Sequence, residues 1–219
     1  NGESEMSGMK KIIFLALTLL LVNCSMAMAA SSSRAVTEQN SVKIAVVPYL
    51  DTSEQDKDYV PGIVDEGYTT YFSSLPGVTV VPAADTQAAL RAAGYDKSDM
   101  VLPEKETLAA VAQATGADYV VAMELSSMNA IRHVSLFQYK ISVNVKLEYH
   151  FYSAKKDTMM PFKTTGANDN ATIIGDVGFK APIKASLQQA MKKANDKISA
   201  AMRSDIPVNP ARQLKQTAA

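Results

Sequence analysis

Residues 137–152 read Phe137-Gln-Tyr-Lys-Ile-Ser-Val-Asn-Val-Lys-Leu-Glu-Tyr-His-Phe-Tyr152. Every odd position (Phe137, Tyr139, Ile141, Val143, Val145, Leu147, Tyr149, Phe151) is apolar or aromatic. The even positions run Gln138, Lys140, Ser142, Asn144, Lys146, Glu148, His150 and Tyr152. Side chains alternate across an extended chain, so a period of two held over this whole stretch gathers the apolar groups on one face. Such a segment is a half-buried antiparallel strand, one face on a core and one in water. Its expected partners are residues 119–130 before it and 158–165 after it. Pro161 cannot donate to a ladder, which puts the later partner at the edge of the sheet.

Working outward, residues 42–48 (Val-Lys-Ile-Ala-Val-Val-Pro) form a nearly continuous apolar run, as expected of a strand covered on both faces. Val60, Ile63, Val64, Gly67, Tyr68, Tyr71, Phe72 and Leu75 then fall at helical spacing, with Asp58 as the expected cap, Pro61 in the first turn and Pro76-Gly77 as the stop. A strand is expected at 78–81. A helix opening at Asp85 and closing on Gly94 follows, then one running from Pro103 to Gly116. Residues 165–177, rich in Gly, Asn and Asp, predict a loop. Phe179, Ile183, Leu187, Ala190, Met191, Ala194, Ile198 and Met202 predict a long amphipathic helix with Pro182 in its first turn, laid over the apolar face of the alternating strand. The expected fold is an α/β (α+β) sandwich, a mixed sheet of about four or five strands in the order β-α-β-α-α-β-β-β-α. The expected organisation is residues 1–29 as extension and secretory signal, 30–41 as linker, 42–203 as one domain and 204–219 as a tail.

Composition narrows the chemistry. The chain has 219 residues, 22 basic and 22 acidic side chains, two histidines and one cysteine, with 47% apolar and 20% charged residues. That supports a packed domain and speaks against wholesale disorder. A zero net charge gives no general attraction to nucleic acid, and one cysteine with two histidines cannot supply a Cys/His zinc cluster.

The first thirty residues read as an address. Met9-Lys10-Lys11 precedes an apolar run from Ile12 to Val22, and Ala27-Met28-Ala29-Ala30 follows. A basic start, a short apolar core and an Ala-x-Ala site describe an export signal cut after Ala29. The run is too short for a bilayer, which needs about 20 apolar residues. Leu21-Val22-Asn23-Cys24 also resembles a bacterial lipobox, in which Cys24 would become the lipidated N-terminus and attach the protein to a membrane. Either way the chain is exported, to the periplasm or the outer-membrane periphery.

No catalytic or metal-ligating set stands out. His150 is expected on the wet face of its strand and His133 in a turn; neither has ligand spacing or an adjacent acid. The serines lie in neither a Gly-x-Ser-x-Gly elbow nor a Ser-x-x-Lys motif. Asp51, Glu54, Asp56 and Asp58 lack the glycine and terminal glutamate of an EF-type loop and read as a solvated lead-in to a helix. A hydrolase built on Asp65 and Glu66 would need neighbours that point about 100° apart on a helix to share one substrate. No glycine-rich phosphate loop is present, and no cofactor is expected.

Lys43-Ile-Ala-Val-Val-Pro-Tyr-Leu-Asp51, residues 78–85 (Val-Thr-Val-Val-Pro-Ala-Ala-Asp), Gln87-Ala-Ala-Leu-Arg-Ala-Ala-Gly94 and Ala114-Thr-Gly-Ala-Asp-Tyr-Val-Val-Ala122 resemble successive blocks of bacterial envelope proteins. The group includes the periplasmic domain of the curli secretion channel, lipoprotein activators of penicillin-binding proteins, and domains similar to the N-terminal domain of TolB. The likeness spans about residues 42–202. It implies an α/β sandwich with its last helix on the sheet, and a non-catalytic module that docks onto other envelope proteins or onto itself. An oligomeric outer-membrane channel component is the alternative, since aromatic-flanked alternating strands also suit a bilayer, although one candidate hairpin stands where the curli channel uses two.

Charge divides unevenly along the chain. Residues 30–177 hold 12 bases and 18 acids, net −6, whereas residues 178–203 hold six bases against Asp196, net +5. The expected partner surface is therefore the last helix, with Lys180, Lys184, Lys192, Lys193 and Lys197.

Overall fold

A computed structural model describes residues 41–55, 57–135, 139–172 and 178–203. Cys24, Ala29, Asp56, Phe137, Gln138 and the tail 204–219 lie outside the described residues. All the elements belong to a compact unit that begins at Val42.

Six strands form one mixed sheet. Strand β1 (Val42–Val46) runs parallel to β3 (Val78–Val80) on one side and to β4 (Tyr119–Val134) on the other, and the short β2 (Leu50–Asp51) adds parallel to β4. Then β5 (Tyr139–Ser153) and β6 (Thr158–Thr172) continue antiparallel, giving the order β3-β1-β4-β5-β6. The alternating segment is β5: Ile141, Val143, Val145, Leu147, Tyr149 and Phe151 are all buried, and the expected long helix, α4 (Lys180–Met202), lies over them. The Pro161 strand is indeed at the edge.

Helix α1 (residues 60–73) shares this face of the sheet. It has α-helical ends, Val60–Val64 and Thr70–Ser73, around a π-helical stretch, Asp65–Thr69. Among the described residues, the opposite face is covered only over its parallel part, by α2 (Ala83–Ala92) and α3 (Lys105–Thr115). There Leu90, Leu108 and Val111 meet Ala45, Val47, Val120 and Ala122. Gly94 and Gly116 terminate these helices in left-handed conformations, at φ 77° and 64°.

Several boundaries differ from expectation. Strands β4 and β6 run four and seven residues further than expected, so His133 lies in β4 and not in a turn, and residues 166–172 are strand where a loop was expected. In β4 the register shifts between Leu125 and Ser127. Before the bulge the odd residues face α4; after it Met128 and Ala130 do, and this phase change hides the strand from a period-two reading. Residues 166–170 can sit in a strand because Gly166 passes directly beneath α4, where a Cβ would collide with the Ser186 carbonyl. Asp58 does not cap α1, which starts at Val60 after Tyr59 without a side-chain cap, and α2 opens at Ala83, ahead of Asp85.

Candidate interaction surfaces

Helix α4 buries Ile183, Leu187, Ala190, Ala194 and Ile198, and this fixes where its lysines emerge. They form two rows. Lys180, Lys184 and Lys192 flank α1: the Lys180 ammonium lies 5.5 Å from the Tyr59 ring centroid and Lys184 is 3.9 Å from Glu66, while Lys192 pairs with Asp196 at 2.8 Å. Lys193 and Lys197 flank β6 on the other side: Lys193 donates to the Thr165 carbonyl at 2.7 Å and Lys197 sits 4.3 Å over Phe162. These are exposed contacts that solvent screens, so they add little to stability and the charges remain open to a partner.

Between α1 and α4 runs a groove of about 500 Å³, bordered by Glu66, Thr70, Tyr71, Gln188, Lys192 and Asn195. The π-helical stretch shapes it. A Cβ at Gly67 would run into the Met191 side chain, and the Gly67 carbonyl accepts from Asn195 Nδ2 at 3.0 Å. The Asn195 amide oxygen is buried and has no partner among the described residues. Further along, the Tyr71 hydroxyl meets Ser199 at 2.9 Å. Asn195 carries the register between the two helices, yet from sequence it reads as an ordinary polar position in an amphipathic repeat.

The β6 edge is blunted from α4 as well. Gln189 accepts from the Ala167 N–H at 2.8 Å, and with the Lys193 contact it occupies outward backbone groups that a foreign strand would need. On the uncovered face Lys140 bonds Asp169 at 2.9 Å, and Lys146 and Lys163 converge on Glu148 at 3.1 and 2.8 Å. Burial alone would raise the Glu148 carboxyl, but hydrogen bonds from Lys163 and Lys146 outweigh it and hold the group below its ordinary value. Hydrogen bonds from Lys140 and Ser142 hold Asp169 low too.

The residues weighed for catalysis are scattered. Asp65 and Glu66 are successive residues of the π stretch. His150 Nδ1 lies 2.9 Å from the Pro103 carbonyl, which can only accept, so this nitrogen donates and the ring is tied to the chain leading into α3. Tyr149 is buried against Phe162, ring centroids 5.2 Å apart, and burial pushes its hydroxyl far up. Among the described residues no group of three or more His, Cys, Asp or Glu could hold a metal ion, and no helix is long and apolar enough to cross a membrane.

No protein-family model matches the chain, and no curated protein matches it. Solved structures that it is similar to include the following three. One is the hypothetical protein CT253 from Chlamydia trachomatis, 12% identical with a TM-score of 0.44 over 77% of this chain and 99% of that one. Another is lipoprotein GNA1162 from Neisseria meningitidis, 15% identical with a TM-score of 0.42 over 74% of this chain and 99% of that one. The third is the LpoB C-terminal domain from Escherichia coli, 15% identical with a TM-score of 0.40 over 59% of this chain and 83% of that one. Neither the curli nor the TolB branch of the resemblance draws support from these structures. At these identities and TM-scores no activity, partner or site passes to this chain.

Proposed function

We propose that this protein is a non-catalytic, exported envelope protein that works as an assembly or adaptor module through protein contacts. Residues 9–30 supply the address, with cleavage after Ala29 or lipidation at Cys24 as the two ways to mature it. The observation that carries the reading is α4: a basic helix on an otherwise acidic body, its Lys180, Lys184 and Lys192 in one row beside the groove with α1, and Lys193 and Lys197 in a second row. An acidic envelope partner, or a second copy presenting its acidic body, is the occupant that this charge pattern favours.

The test begins with the address. Expressed from Met9 in a Gram-negative host, the chain is expected to appear in the envelope fractions with a mature N-terminus at Ala30, or at a lipid-modified Cys24, by mass spectrometry. Recovery of the intact, uncleaved chain in the cytoplasm overturns the reading. In envelope extracts, crosslinks from a photoreactive residue at position 184 are expected to reach a protein partner, and the same chain carrying Lys180→Glu and Lys192→Glu is expected to lose them.

The tip of the β4–β5 hairpin favours the second reading, an oligomeric secretion-channel component. Ile131, Val134 and Tyr139 are exposed there at 46%, 63% and 39%. Complete release of the protein by osmotic shock would exclude a pore.

A further inference from the structure

The corner where β1 ends and α2 turns back combines features that the adaptor reading does not use. A cleft of about 370 Å³ opens there, floored by Val47, Pro48 and Leu90 and rimmed by Gln87, Arg91 and Lys97. Its size falls within the range of small-ligand pockets, about 300–1,000 Å³, and it lies past the carboxyl ends of parallel strands, where open α/β sheets bind ligands. Gln87 and Arg91 are four residues apart on α2 and so share one face.

The charge is out of character with its surroundings. Residues 30–177 carry net −6, yet among the described residues Arg91 has no carboxylate in ion-pair range and the Lys97 ammonium is engaged only at 5.8 Å from the Tyr49 ring. Asp96, the one acid lining the cleft, is already committed: its carboxylate accepts the Ser98 N–H at 2.8 Å and is held below its ordinary value by it, while Asp99 and Glu124 stand nearby, around Tyr95. Beside the cations, Met100 and Val101 are 45% and 56% exposed. Met100 also has φ 54°, a left-handed backbone that an unbranched apolar residue adopts at a cost. The loop is braced in this form by the Tyr95 hydroxyl, which donates to the Val101 carbonyl at 2.8 Å. Arginine, tyrosine and exposed methionine around an apolar floor are the composition of interaction hot spots.

We infer that this corner docks an acidic segment of a partner protein, in which an Asp or Glu carboxylate sits between Arg91 and Lys97 and an adjacent apolar side chain covers Met100 and Val101. The inference rests on the adaptor reading and gives it a second, separate surface with a stated ligand chemistry. The bidentate guanidinium suits a carboxylate, and the apolar floor suits the side chain beside it.

The test is a selection of displayed peptides against the mature chain, followed by affinities for the synthetic peptides recovered. Enriched peptides are expected to carry Asp or Glu next to a large apolar residue. Their affinity is expected to fall about tenfold or more with Arg91→Glu or Lys97→Glu, a loss of about 1.4 kcal/mol per decade, and to weaken with salt. Both side chains are exposed, so unchanged thermal unfolding verifies that the variants fold. Peptides lacking an acid, no enrichment at all, or affinities indifferent to both substitutions overturn the proposal. So does binding to phosphatidylglycerol vesicles that the same substitutions abolish, which would assign the corner to a lipid headgroup. None of these outcomes touches the export test or the position-184 crosslinks, so this docking site and the adaptor reading can fail separately.

Discussion

The parallel and antiparallel ends of the sheet obey different rules. At the parallel end both faces are covered, by α1 on one side and by α2 and α3 on the other, and consecutive residues Tyr119, Val120, Val121, Ala122 and Met123 are all buried. At the antiparallel end, among the described residues, only α4 covers the sheet, and buried and open residues alternate along β5. Single strands pass from one regime to the other. In β5 the alternation gives way at Phe151, Tyr152 and Ser153, which are buried in succession where they pair with Val121, Val120 and Tyr119. A strand's hydrophobic pattern therefore reports what lies above and below each residue, and it changes along the strand where the cover changes.

The largest effect that could break this contrast is a cavity at the doubly covered end. Leu108→Ala is expected to cost about 2–5 kcal/mol in urea unfolding, and Val134→Ala at the exposed tip less than about 0.5 kcal/mol. Equal losses would mean that the two ends are not differently packed. Next comes the single cover itself. In Gly166→Ala the new methyl meets rigid backbone at Ser186, for an expected loss of about 2–3 kcal/mol and faster amide exchange in β6 than in β1. Gly67→Ala meets only the flexible end of Met191 and should cost about 1 kcal/mol or less. Third, the fully buried Tyr68 hydroxyl lies 3.0 and 2.9 Å from the Val47 and Val121 carbonyls, tying α1 to the parallel end. Tyr68→Phe is expected to cost about 1–2 kcal/mol with its buried fold otherwise intact, as read from calorimetry.

The smallest effect belongs to the open face. The depressed Glu148 carboxyl contributes stability above its unfolded value, about 4.3, and loses it as pH falls through the lower folded value. The urea midpoint of the wild type should therefore drop more steeply between about pH 5 and 3 than that of Glu148→Gln. The difference should be a few tenths of a kcal/mol, because the site is partly wet and screened. Parallel pH profiles would remove Glu148 from the account of the open face.

What could be read from the sequence follows the same division. Wherever one cover is continuous, as over residues 139–150, the period of two was plain, and α4 announced itself through its apolar stripe. The distal parts of β4 and β6 were hidden for separate reasons: a bulge changed the phase of the first, and Gly166, which reads as loop punctuation, is in the second the one residue that lets a strand slide beneath a helix. The step of four through Val60, Val64, Tyr68 and Phe72 is wider than 3.6 and was the available sign of the π stretch. At the candidate surface the lysines were visible as charge. Their separation onto two flanks was not, because it depends on which neighbour each flank meets. Asn195 and Gln189, polar residues that hold α4 to α1 and to β6, carried no signal beyond their type.

The bulge at Ser126 has a further consequence. Its hydroxyl bonds the Lys146 carbonyl at 3.2 Å and fixes the place where β4 changes parity. The sheet is in effect a constant base spliced to an arm whose inside and outside are set by that one residue. Lengthening or trimming the arm by even numbers of residues in each strand leaves every side chain on its own face, while an odd change in β4 beyond the splice turns its lining outward. The arm can therefore evolve or be engineered in reach, as an exchangeable cassette, without disturbing the core that carries it.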